Sequence, residues 1–294
     1  MHKIIVALIC LFSFSSTFAN EIETTTLTSP PKRVVVLDWA LAETLVSIGV
    51  KPVGVADAKG YRQWVEIPKL PQSVVDVGSR TEPNLELIAQ LKPDLIIASN
   101  HLSLVYQQLS KIAPTKIYTI YDNNKSPYLN AKRITLALGK LFHRSKQANS
   151  VVSETEQVLK DDKRVIQEKG KNNKPVLFVR FINDNTVRIH GKGALINSVA
   201  SAMGLTNVWT KPTNLWGFTT VGVPVLAQYQ DANIVILGPL SSQQKTFLQH
   251  SALWNAMKFV KQDSVYTLPA IWTFGGLIDV QRFSQNITKA FTHL

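Results

Sequence analysis

Arg80 and a set of tryptophans are the residues with chemistry to offer in this 294-residue sequence. Arg80 stands in VVDVGSRTEPNLELIAQ, between a short apolar run and a helix opened by Pro83. A guanidinium presents five N–H donors in a rigid fork, a match for paired anionic oxygens. Trp39, Trp64, Trp209, Trp216 and Trp272 all fall just after strand-like runs or in the loops beyond them. Trp254, in SALWNAM, reads instead as a core residue. A lone tryptophan usually serves packing, but five in such loops converge on one cleft and suit a bulky, partly apolar ligand. Catalytic patterns are missing. No G-x-S-x-G, P-loop or G-x-G-x-x-G follows a strand, and Gly191-Lys192-Gly193 lacks the remaining spacing. The six histidines are widely separated and have no cysteine partner, which leaves a protein-ligated zinc or iron centre unsupported.

The elements that must position these residues follow an alternating pattern. Short β-branched runs at Arg33–Leu37, Pro52–Val55, Leu95–Ala98 and Ile117–Thr119 predict strands. Between them Ala40–Ile48, Asn84–Leu91 and Tyr106–Ile112 predict helices, stopped by Gly49, Lys92-Pro93 and Ala113-Pro114. The second half repeats the scheme, with strands at Val176–Phe181, Ile234–Leu237 and Val265–Thr267. Its helices are expected at Leu195–Met203 and Pro224–Tyr229. From Arg144 to Lys169, Ala148, Val151, Val152, Thr155, Val158, Leu159 and Val165 recur at three- and four-residue steps. That spacing predicts one amphipathic helix of roughly 35–40 Å. The expected fold is therefore α/β, with two Rossmann-like lobes joined by one long helix and a ligand cleft between them. The lobes are assigned to residues 20–143 and 171–294, and the joining helix to 144–170.

The N-terminus sets the expected compartment. A short positive start, the apolar run Ile4–Phe14, and small residues at Thr17 and Ala19 read as a signal peptide, residues 1–19. Its core is too short to span a bilayer. Cys10, the sole cysteine, lies inside that core, which predicts export without a lipid anchor and no disulfide chemistry afterwards. The formal charge is +12, but Lys and Arg are scattered and interleaved with acids, so an anionic small ligand is a better partner than nucleic acid.

VGSRTEPNLE, VADAKGYRQWVEIPKLPQSVVDVG, TNLWGFTTV and LPAIWTFG resemble the periplasmic ferric hydroxamate siderophore-binding proteins. These are solute-binding proteins of the helical-backbone class. The resemblance runs from about Arg33 to Phe291. It implies a monomeric binding protein, not an enzyme, that passes its cargo to an inner-membrane ABC importer permease. It implies that iron is held only through the siderophore, with no protein cofactor. Carried over position by position, Arg80 matches the arginine that hydrogen-bonds the hydroxamate oxygens, and Trp216 the tryptophan of the facing lobe. Trp39, Trp64, Trp209, Trp272 and Phe274 match further aromatic positions of the cleft. Glu86 resembles the acidic residue presented to the importer; Asp231 is the candidate for its counterpart in the second lobe. Two positions depart from the family. Leu102 stands where a tyrosine is expected, leaving His101 or Asn100 to replace its donor. Arg188 replaces an apolar residue, which favours a more acidic siderophore, such as a citrate-hydroxamate. The alternative cargoes of the same fold are a carboxylate siderophore, haem or a cobalamin. Haem would need an axial ligand, and His101 is the candidate.

Overall fold

The computed structural model describes residues 29–293, so the expected signal segment and Cys10 lie outside the described residues. The first lobe begins with β1 (Val34–Val36), α1 (Trp39–Ser47), β2 (Gly54–Val55), α2 (Ala58–Trp64), β3 (Val75–Asp76) and α3 (Leu85–Gln90). β4 (Leu95–Ala98) follows, then a 3-10 turn at Asn100–Val105 leading into α4 (Tyr106–Ile112), and finally β5 (Thr115–Ile117). The strands form one parallel sheet in the order β3-β2-β1-β4-β5. Its centre, Val34, Val35 and Val36, is buried on both faces, as an apolar run without alternation requires. β5 starts two residues earlier than the sequence pattern predicts. The Pro114 carbonyl already accepts the Ile96 N–H at 2.9 Å, so pairing begins directly behind the helix stop.

α5 (Pro127–Leu141) leads to α6 (Ser145–Glu168), the long joining helix. At 24 residues it is about 36 Å long. Its apolar stripe serves two cores. Ala148, Val151 and Val152 pack into the first lobe, whereas Leu159 and Ile166 pack into the second. Ile166, not the expected Val165, closes the stripe as a fully buried residue. Because full burial of such a side chain contributes about 1.5–3 kcal/mol, neither lobe can swing away without exposing part of this helix.

The second lobe holds β6 (Val176–Asn183), β7 (Thr186–His190), α7 (Leu195–Ala202), β8 (Phe218–Gly222), a 3-10 turn at Val223–Tyr229 and β9 (Asn233–Leu237). α8 (Ser242–His250), α9 (Ala252–Ala256), α10 (Lys258–Lys261), β10 (Val265–Leu268) and α11 (Leu277–Thr292) complete it. This sheet is mixed, in the order β10-β9-β6-β7-β8, so the second lobe does not repeat the first. β10, β9 and β6 run parallel, but β6-β7-β8 is an antiparallel meander. The meander strands TVRIH and FTTVG carry polar residues on the cleft side, which is why a search for continuous apolar runs passes over them. α11 was also not expected. Its buried Val280, Phe283, Ile287 and Phe291 lock onto α6 and α7.

The lobes are further tied by a buried carboxylate. Glu43 of α1, fully buried, accepts the N–H groups of Gly276 at 2.8 Å, Ile278 at 2.9 Å and Asp279 at 3.2 Å. It thereby caps α11, whose own N-cap residue, Gly276, has no side chain to do so. Burial pushes Glu43 up to about 7, against the pull of these three N–H groups. Asp279 beside it is also raised well above the usual carboxylate value, by burial and then by the Glu43 charge. Gly275 is required here, since a Cβ would stand 1.9 Å from Asp279 Oδ2. Arg282 extends the tie by donating to the carbonyls of Val65 and, at 2.8 Å, Ala270.

Candidate functional site

The ends of the two sheets face one cleft of about 270 Å³, lined on one side by Asp38, Arg80, Ser99, Asn100, His101, Tyr118 and Tyr121. Arg188, Trp216, Phe218, Trp272 and Phe274 line the other. Arg80 lies in the β3–α3 turn, which Gly78 opens at a φ of +91° and the Gly78–Pro83 bridge closes. Its guanidinium carbon sits 3.8 Å above the Trp39 ring and 4.9 Å from that of Trp272. These two ring contacts hold the fork by cation–π attraction without using its donors. Nε is 3.7 Å from Asp57 Oδ2, and no hydrogen bond to the guanidinium is found among the described residues. Partial burial lowers the Arg80 pKa, while Asp38 and Asp57 oppose the shift, so the group stays a cation.

Trp39 is only 2% exposed, and Nε1 donates to the carbonyls of Ala56 at 3.0 Å and Asp57 at 3.1 Å. It is the floor beneath Arg80 and not a wall of the cleft, which corrects the expectation for this residue. The rings then run across the opening. Trp272 meets Trp39 edge-on at 4.6 Å, Phe274 follows at 5.3 Å, and Trp216 stands 5.4 Å beyond. Tyr121 touches Trp216 at 5.3 Å and Phe274 at 5.8 Å. Its buried hydroxyl has no partner among the described residues, and burial raises its pKa well above the usual value. Tyr118 and Tyr121 went unnoticed in the sequence, although two tyrosines in IYTIYD, directly after β5, mark the same loop position as the tryptophans.

Trp216 owes its place to the turn N-L-W-G. The Asn214 side chain accepts the N–H of Trp216 at 3.0 Å and of Phe218 at 3.1 Å. Gly217 has a φ of +78°, and a Cβ there would lie 1.9 Å from Ala194 N. From the other lobe, Lys125 Nζ donates to the Thr213 carbonyl at 2.6 Å and the Asn214 carbonyl at 3.0 Å. Trp209, in the same loop, turns the opposite way. It is 5% exposed and packs in the second lobe's core against Tyr229. Leu102 is likewise buried, at 2% exposure, in the core around α4. Both are packing residues, because the 3-10 turn and the loop aim them inward, and neither lines the cleft. Trp64 is half-buried against the first-lobe core and is not among the cleft-lining residues, with Arg180 of β6 4.8 Å above its ring.

His101 does stand in the cleft, where Leu102 does not. Nε2 donates to the Arg80 carbonyl at 3.1 Å, and Nδ1 lies 2.7 Å from Ser99 Oγ. With both nitrogens engaged, its role is to hold the Arg80 turn, and it has none left for an axial metal bond. Arg188 lies 4.4 Å over the Phe218 ring. Glu86 is exposed in the first turn of α3 and forms no ion pair among the described residues. Asp231 is exposed but paired with Lys258. Among the described residues, no cluster of three His, Cys, Asp or Glu could hold a metal, and no helix is long and apolar enough to cross a membrane.

The sequence pattern of the periplasmic binding protein family matches residues 34–271. The iron(3+)-hydroxamate-binding protein FhuD of Escherichia coli (strain K12) is 31% identical over 260 residues, 88% of this chain and 87% of that protein. The Fe(3+)-citrate-binding protein YfmC of Bacillus subtilis (strain 168) is 29% identical over 90% of this chain and 82% of its own length. The crystal structure of the siderophore-binding protein FhuD from Vibrio cholerae with Fe3+-Desferal bound superposes with a TM-score of 0.83. It is 30% identical, covering 88% of this chain and 97% of that one. The chain belongs to the periplasmic binding protein family.

Proposed function

We propose that this periplasmic binding protein captures ferric siderophores of the hydroxamate type and delivers them to an inner-membrane ABC importer. The observation that carries this reading is Arg80, held against the edge-to-face pair Trp39 and Trp272 with its donors unspent, at the base of an aromatic cleft. A ferric trishydroxamate presents paired, partly anionic oxygens around iron and an apolar perimeter. The guanidinium fork takes the oxygens, with the Tyr121 hydroxyl as a further donor. Trp216, Trp272 and Phe274 take the perimeter. The relatives named for ferric hydroxamate and ferric citrate support a cargo of this class.

Iron is cargo in this reading and stays in the siderophore's own donor shell, so the chain supplies no metal ligand and performs no catalysis. The leader at residues 1–19 is cleaved, and the mature chain works in the periplasm as an unlipidated monomer. Glu86, exposed in the first turn of α3, offers its carboxylate to the importer. Because α6 serves both cores, and Glu43 and Lys125 cross between the lobes, loading changes the shape little.

The test is a quenching titration of intrinsic tryptophan fluorescence with ferric hydroxamates, catecholates, citrate complexes and haem. Saturable quenching is expected with the hydroxamates at the lowest concentration. Preferential saturation by haem or a catecholate contradicts the assignment.

A further inference from the structure

The second-lobe wall carries two cations that the Arg80 site does not use. Arg180 of β6 and Arg188 of β7 are direct cross-strand partners in the antiparallel ladder, so both project from the same face of the sheet. Each spreads over an aromatic ring, Arg180 over Trp64 at 4.8 Å and Arg188 over Phe218 at 4.4 Å. Neither has a carboxylate within 4.0 Å or a side-chain hydrogen bond among the described residues, and Arg188 Nε is buried without a partner. Two residues along β7, His190 is fully buried on the same face, and neither ring nitrogen has a partner among the described residues. Like charges placed directly opposite each other on a sheet are unfavourable, and half-buried guanidiniums without a counter-charge more so. The exposed Arg164 and the half-buried Arg282, by contrast, both have acidic partners. An uncompensated pair of cations at the rim of a ligand cleft is a site whose counter-charge arrives with the ligand.

We propose that Arg180 and Arg188 form a second anion subsite, which takes a carboxylate of the siderophore that is not bound to iron. The preferred cargo is then a ferric hydroxamate siderophore of net negative charge, gripped at its iron-bound oxygens by Arg80 and at a pendant carboxylate by the β6–β7 pair. Arg188 lines the main cleft, and its cross-strand partner Arg180 stands next to it over the Trp64 ring, so the subsite extends from the cleft toward Trp64. This rests on the reading of the cleft as a ferric hydroxamate site and narrows its ligand class.

Two probes separate the subsite from that reading: the ferric complexes of N-acetyl- and N-succinyl-desferrioxamine B. They share one neutral iron–trishydroxamate core and differ by a terminal carboxylate. Wild-type protein is expected to bind the succinyl complex about 10- to 100-fold tighter, as hydrogen bonding to a charged group allows. In R180Q/R188Q that ratio falls to about one while the acetyl complex still binds saturably through Arg80 and the aromatic wall, which also shows that the variant folds. In wild-type protein alone, the ratio shrinks as salt rises to about 0.5 M, since a partly exposed charge contact is screened. Equal binding of both complexes by wild-type protein, a salt-independent ratio, or a preference that survives in R180Q/R188Q overturns the subsite and leaves the hydroxamate reading intact. Binding of neither complex overturns both.

Discussion

The two walls of the cleft both present arginine over aromatic rings, yet their electrostatics differ. Arg80 has Asp57 at 3.7 Å and also feels the Asp38 carboxylate. Its charge is balanced within the protein, its orientation is fixed by Trp39 and Trp272, and its donors still point into the cleft. Neither Arg180 nor Arg188 has a carboxylate within 4.0 Å among the described residues; burial and then the neighbouring Arg188 lower the Arg180 pKa, and burial with the two guanidiniums lowers that of His190. A balanced cation can bind a neutral complex through its polarised oxygens without a large change in net charge at the site. An unbalanced pair instead rewards ligands that carry negative charge. The first wall therefore reads the common iron–oxygen core, and the second sorts ligands by charge.

Substitutions that act on one wall alone test this division. The largest effect is expected from Arg80→Ala, which should weaken neutral and anionic ferric hydroxamates alike by about 1.5–3 kcal/mol in calorimetric titration. A loss confined to anionic ligands would merge the two walls into one. A smaller effect concerns His190, whose pKa burial drives down to about 3, helped by Arg180 and Arg188. The folded pKa is below the unfolded one of roughly 6.5, so the unfolded chain takes up a proton that the folded chain refuses. The contribution of His190 to stability is thus complete above about pH 6.5 and is lost as pH falls from there toward 3. In R180Q/R188Q the His190 pKa should rise but stay below its ordinary value, because burial remains. An NMR titration of the imidazole protons reads this directly. An unchanged His190 pKa would mean that the two guanidiniums do not set the potential of this wall.

The sequence made some of this arrangement legible and hid the rest for identifiable reasons. Arg80, Trp216 and Trp272 were readable because a glycine-punctuated loop after a strand leaves its side chains little choice but the cleft, whereas Phe274 followed only from the family resemblance. The joining helix was readable because its stripe repeats over about five turns. Trp209 and Trp216 lie seven residues apart in one loop and look equivalent in the sequence. Only the Asn214–Gly217 turn sends one into the cleft and leaves the other in the core. Leu102 and His101 differ by one step of a 3-10 turn, and that step decides which of them faces the ligand. Glu43 was invisible, since its three N–H partners lie more than 230 residues away along the chain. Arg180 was missed because β6 reads as a core strand, and its meander partner β7 could not be recognised from apolar runs.

The most direct test of the account is a crystal structure with the ferric complex of N-acetyl-desferrioxamine B bound. The account places the iron-bound oxygens within about 3.2 Å of the Arg80 guanidinium, with the siderophore's perimeter against Trp216, Trp272 and Phe274. A complex seated away from Arg80, or held in the cleft with the guanidinium still turned to Asp57 and making no contact with those oxygens, would contradict it.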